Sequence, residues 1–259
     1  MSALAHRLDR SIVINAPREA VFRYFTDSSH WAKWWGAGST IDSRLGGKIY
    51  IRHPEGTEVV GEVVEVTPPE RIVFTYGYVK GTPVPVGGSR VTIQLAADRG
   101  ATHLTLTHEF ADAAARDEHI QGWRYQLSLF SNVVADEINS GAAGVIDAWF
   151  DSWAEPDAAK REKTLDRIAS ADIRFHDRYS NISTLPELFP HIAAAQHFMP
   201  GLRMKRSGDV RHCQGTVLAD FVIVGPDGAE RGSGTNVFVF GPGGKIETLT
   251  GFMNPPKPV

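Results

Sequence analysis

The feature that most constrains this chain is the stretch from Ala113 to Ile138, where Ile120, Trp123, Leu127, Phe130 and Val134 recur at steps of three and four. That period lays them along one stripe of a helix of about seven turns, and so long an apolar stripe must be covered by other structure. The preceding residues supply the cover. Between Ser39 and Phe110 about five strand-like runs are separated by Gly, Pro or Asp-Arg-Gly turns, which predicts an antiparallel sheet. Alternation puts Ile72, Phe74, Tyr76 and Tyr78 on one face of the third run. Val91, Ile93 and Leu95 share a face of the fourth, and Leu104, Leu106 and His108 a face of the fifth. The imidazole of His108 then has two readings, a core histidine bonded to a neighbour or a polar tip in a cavity.

Ahead of the sheet, Arg10–Ile14 reads as a strand, and Pro17 opens a helix over 17–26 whose Val21, Phe22 and Phe25 form an apolar face. Three of the six tryptophans, Trp31, Trp34 and Trp35, follow within five positions. With Phe74, Tyr76, Tyr78, His108, Trp123 and Phe130 they are candidate walls of a ligand cavity; plain core filling is the other explanation.

A chain of 259 residues exceeds one ordinary α+β domain. Small residues from Asn139 to Gly144 fall where the long helix should end, so two domains are expected, 1–138 and 145–259, with 139–144 as linker. In the second, Val145, Ile146, Trp149 and Trp153 form an apolar helix face, and a charged helix after Pro156 turns Leu165 and Ile168 inward. A strand from Ile173 to Tyr179, a helix starting at Ser183 or Thr184, and strands over 203–212, 214–224, 230–240 and 246–252 complete it.

The 42% hydrophobic and 22% charged residues are a globular balance. Up to Ile138 there are 14 basic and 16 acidic residues, and 13 and 14 after it, so neither half is a nucleic-acid binder. The densest basic run, Lys160 to Lys163, reads as a solvated helix face. One cysteine, Cys213, cannot form an internal disulfide or a thiolate metal site. With no signal peptide and no segment of membrane-spanning length, a cytoplasmic protein without membrane insertion is expected.

Several strings of the first half occur together: Phe22-Arg23-Tyr24-Phe25-Thr26-Asp27, Trp34-Trp35-Gly36, Gly46-Gly47-Lys48, Gly61-Glu62-Val63, Pro68-Pro69-Glu70-Arg71-Ile72-Val73-Phe74, Thr105-Leu106-Thr107-His108 and Gly122-Trp123. Over residues 8–138 the chain resembles the SRPBCC (START-like) superfamily, within it the branch named after the heat-shock-protein-90 ATPase activator. That resemblance implies a helix-grip fold, a curved antiparallel sheet around a long C-terminal helix with a deep apolar cavity between them.

In the second half, Ile173-Arg174-Phe175-His176-Asp177, Leu188 with His191-Ile192, Gln196 with Met199-Pro200-Gly201, Gly225-Pro226-Asp227-Gly228 and Gly244-Lys245-Ile246 resemble SnoaL-like members of the nuclear-transport-factor-like superfamily over 143–254. The implied fold is a cone-shaped α+β barrel. Matched by position to ketosteroid isomerase, Asp177 stands at the base, with Trp149 and Asn236 where that enzyme has a tyrosine and a second aspartate. Trp149, Trp153, Phe175 and Asn236 become candidate ligand contacts. His176 and Asp220, with His191 and His197, are possible companions of Asp177, which otherwise reads as a strand-end aspartate bonding its own turn.

Three functions follow as expectations. The first is binding of a small hydrophobic molecule in one or both cavities. The second is an enzyme of polyketide-cyclase, isomerase or hydratase type with Asp177 as general base. The third is a chaperone ATPase regulator or protein-interaction module. No cofactor or metal is expected, and a homodimer could form through the C-terminal domain sheet.

Overall fold

The computed structural model describes residues 3–255. The chain divides into two compact units, 1–135 and 136–259.

The first unit opens with strand β1 (His6–Ile14) and two short helices, α1 (Arg18–Arg23) and α2 (Ser28–Trp35). Six strands follow, β2 (Thr40–Ile41), β3 (Lys48–Arg52), β4 (Glu58–Thr67), β5 (Arg71–Tyr78), β6 (Ser89–Asp98) and β7 (Ala101–Phe110). Helix α3 occupies Ala113–Ile138, the full length predicted from its period. The seven strands make one antiparallel sheet in the order β1-β7-β6-β5-β4-β3-β2. The first strand therefore pairs with the last, His6 opposite Phe110 and Ile14 opposite Thr102. Ile72, Phe74 and Tyr76 of β5 and Val91, Ile93 and Leu95 of β6 are buried as read, whereas Tyr78 is half-buried and Val73 and Gly77 of the other β5 face are buried as well.

The tryptophan cluster, whose short spacing predicts no particular element, is helix α2. Asp27 caps it, its carboxylate accepting from the His30 backbone N–H at 3.0 Å. Hydrogen bonds from the Ser29 hydroxyl and from His30 hold the Asp27 carboxyl well below the usual carboxylate range.

The second unit contains α4 (Ala142–Ser152), α5 (Ala158–Ile168), β8 (Ala169–His176), β9 (Asn181–Ile182), α6 (Leu185–Phe198), β10 (Arg203–Cys213), β11 (Thr216–Val224), β12 (Glu230–Phe240) and β13 (Ile246–Met253). Two helices, a strand, a helix and an antiparallel series is the order that the SnoaL-like resemblance implies. The sheet order is β10-β11-β12-β13-β8-β9, with β13 parallel to β8. The two-residue β9 and the exposed β10 are its free edges, so this sheet is open and not a closed barrel. Ala142–Gly144, expected in the linker, form the first turn of α4, with Gly141 as its N-cap. The basic run on α5 also needs correction. Arg161 points inward and is buried, its guanidinium donating to the Glu155 carbonyl at 2.8 Å and to Gln196 Oε1 at 3.2 Å.

Candidate functional site

A cavity of about 640 Å³ opens in the first unit. Its walls come from three places: Lys33 to Gly36 at the end of α2, His53 to Thr57 around the β3–β4 turn with Tyr76 and Tyr78 of β5, and one face of α3 from Glu118 to Leu129. Five of the aromatics singled out in the sequence line it, Trp34, Trp35, Tyr76, Tyr78 and Trp123. Trp34 lies against Trp35 with ring centroids 4.2 Å apart, and Trp35 meets Trp123 edge to face at 5.6 Å.

Trp31, Phe74, His108 and Phe130 stand elsewhere. All four are completely buried and absent from the cavity lining, because the interior is deeper than one layer of side chains. Trp31 stands edge-on to Trp34 at 5.3 Å and to Phe74 at 5.8 Å, filling the space behind the wall.

His108 is the bonded core histidine of the first reading. Trp123 Nε1 donates to its Nδ1 at 2.9 Å, and its Nε2 lies 2.8 Å from the Ser89 hydroxyl. That hydroxyl gives its own hydrogen to the Tyr76 carbonyl. His108 is therefore neutral, protonated on Nε2, and it fixes the indole that forms the cavity wall.

His119 was not anticipated. Its Nδ1 donates to the Ala115 carbonyl at 2.7 Å, leaving Nε2 to accept from the Tyr78 hydroxyl at 3.1 Å. The signal was present in the sequence, since positions 119, 123 and 126 are one helical face at steps of four and three. His53, Glu55 and Thr57 come from a turn that no periodicity addresses.

Burial holds His108 well below the ordinary histidine range, with a smaller contribution from nearby His119, and burial lowers His119 and His53 too. Unfolding returns all three to water and a pKa of about 6.5. Below that pH the unfolded chain binds protons that the folded chain refuses, so stability is complete above about pH 7 and drains as the pH falls. The thermal midpoint of the protein is expected to drop between pH 7.5 and 5. A midpoint that rises over that range would contradict the buried neutral imidazoles.

In the second unit Trp149 and Phe175 are buried and meet at 5.5 Å, and Trp153 meets Phe175 at 5.8 Å. His191 joins them, 5.9 Å from the Trp153 ring, its Nε2 2.9 Å from the Ser180 hydroxyl. Asn236 is buried on the inner face of β12 between Gly234 and Phe238. Asp177 follows β8 half-buried, accepting from the Tyr179 backbone N–H at 2.7 Å, as a turn aspartate does. Gly251 of β13 separates the two: a Cβ there would stand 3.0 Å from Asn236 Oδ1 and 3.1 Å from Asp177 Cβ.

The proposed catalytic trio does not assemble. His176 is exposed. Asp220 lies on the outer face of β11, opposite in alternation to Ala219 and Phe221, paired with Arg211 at 3.1 Å and accepting from Thr235 at 2.5 Å. His197 is exposed beside Phe198. A surface depression of about 300 Å³ in this unit is lined by Asp172, Arg174, Glu247 and Thr248, none of them a candidate residue.

Residues 15–135 match the family model described as Activator of Hsp90 ATPase homolog 1-like protein. The matched residues lie within the first unit and make up just under half of the chain. Solved structures similar to parts of the chain include a SnoaL-like family member from Agrobacterium tumefaciens, 20% identical, covering 43% of this chain and 96% of its own, with a TM-score of 0.42. The Aha1 dimer from Colwellia psychrerythraea is 19% identical, covers 48% and 91%, and has a TM-score of 0.40. Protein MLL2253 from Mesorhizobium loti is 19% identical over 51% and 98%, with a TM-score of 0.45. Among curated proteins none matches. No helix among the described residues is long and apolar enough to cross a membrane.

Proposed function

We propose that the Aha1-like unit binds a small, largely apolar molecule in its cavity. The observation that carries this reading is a pocket of about 640 Å³, partly open to solvent, with tryptophan and tyrosine side chains in its walls. Cavities of this size and lining are the usual form of small-molecule sites. Native mass spectrometry of gently purified protein is expected to show a mass above the apo value, and displacement of a hydrophobic dye should follow ligand addition. Persistent apo mass together with no dye binding would remove the proposal.

An acid-base role for Asp177 has less support, because one carboxylate oxygen is already committed to its own turn. Its placement beside Asn236, across Gly251, is the feature that favours it. An Asp177→Asn variant that keeps full activity in any reaction found for the protein ends that reading. Chaperone activation is named in the description of the matched family, and for this chain the cavity speaks for ligand binding instead. A cytoplasmic location and pairing of two chains through the second sheet are further proposals, the latter read directly by sedimentation.

A further inference from the structure

The charged groups around the cavity are mostly acidic, and the indole N–H of Trp35 is a buried donor in its wall without a hydrogen-bond partner. Tyr78 has committed its hydroxyl hydrogen to His119, whose other nitrogen is tied to the Ala115 carbonyl, so Tyr78 offers the cavity only lone pairs. Gln126 gives its amide N–H to the Trp34 carbonyl. Two carboxylates, Glu55 and Glu118, belong to the lining and are exposed, which places them at its solvent end. Neither makes an ion pair or a side-chain hydrogen bond among the described residues.

Against these stands one ammonium. Lys33 also borders the cavity, but it lies over the ring of Tyr24, 6.0 Å from its centroid, and Tyr24 is outside the lining. His53 and His119 stay neutral through burial and add no positive charge. The field of Glu55 reaches Tyr76, Tyr78 and His53, and that of Glu118 reaches Tyr78 and His119. The half-buried ring of Tyr78 adds to this, since its π-cloud attracts cations.

We infer that the cavity takes an organic cation, an apolar body ending in a protonated amine or quaternary ammonium, with the charge held at the mouth by Glu55 and Glu118 over the aromatic walls. This rests on the proposal that the cavity binds a small molecule, and it adds the chemical class.

Three probes that share one ring system test it on the full chain by isothermal titration calorimetry: 1-naphthylmethylamine, 1-naphthalenemethanol and 1-naphthoate. The amine is expected to bind about tenfold more tightly than the alcohol, from an exposed ion pair and a ring contact acting together, and the naphthoate more weakly than either. Added salt should shrink the advantage of the amine. The double variant Glu55→Gln, Glu118→Gln should lose the tenfold ratio of amine to alcohol. Binding of the alcohol as tight as that of the amine overturns the charge inference and leaves the cavity reading standing, as does a ratio that survives the double variant. Failure of all three probes to bind overturns both.

Discussion

Replacing Trp123 with alanine is expected to destabilise the protein by roughly 3–5 kcal/mol, a loss on the order of 10–20 °C in the thermal midpoint of the first unit. The side chain is 3% exposed and lies near the middle of α3. Its removal deletes the edge-to-face contact with Trp35 at 5.6 Å and leaves His108 Nδ1 without its donor. The truncation also widens an existing cavity, so the surroundings cannot close over the gap. Trp123→Phe separates the two contributions, keeping most of the ring and losing only the N–H. A melting curve for the alanine variant that overlays the parent would show that α3 is not anchored through this residue.

The second large effect is expected at Gly61. This residue of β4 faces Ile49 of β3 in the sheet register, and a Cβ built on it falls onto the backbone carbonyl of Thr75. No flexible side chain can yield there, so β4 and β5 must separate. Gly61→Val should cost about 3 kcal/mol or more, and Gly61→Ala most of that, because the first carbon already collides. Gly122→Ala is the matched control, since a Cβ on that helical glycine meets nothing within 4 Å. Chemical denaturation of the three variants reads the difference directly. A Gly61→Val midpoint equal to the parent would mean that the strands pass one another less closely than described.

Much of the fold was legible because the two periods that reveal it are strong. An apolar residue every three or four positions defined α3 to both of its ends, and the aromatic alternation of β5 placed Tyr76 correctly. The run holding Trp31, Trp34 and Trp35 resisted because its spacing of three and one is too short to establish a helix. The site was legible in its aromatic half. Which rings face a hollow and which fill the layer behind it depends on depth, and alternation reports a side but no depth. That is why His108 and Trp34 looked alike in the sequence and differ in the structure. His53 and Glu55 come from a turn, where no repeating pattern points anywhere.

In the second unit one strand has an unusual duty. β13 lies between β12 and β8, pairing Phe240 with Ile246 on one side and Ala169 with Ile246 on the other. The β8–β9 ribbon has no other link to the rest of that sheet. During synthesis the ribosome therefore releases β8 long before its neighbour exists, and the emerging polypeptide must carry an unzipped ribbon until residues 246–253 arrive. Such a topology trades speed for closure. It makes the waiting interval the moment when this half is most exposed to proteases and to self-association.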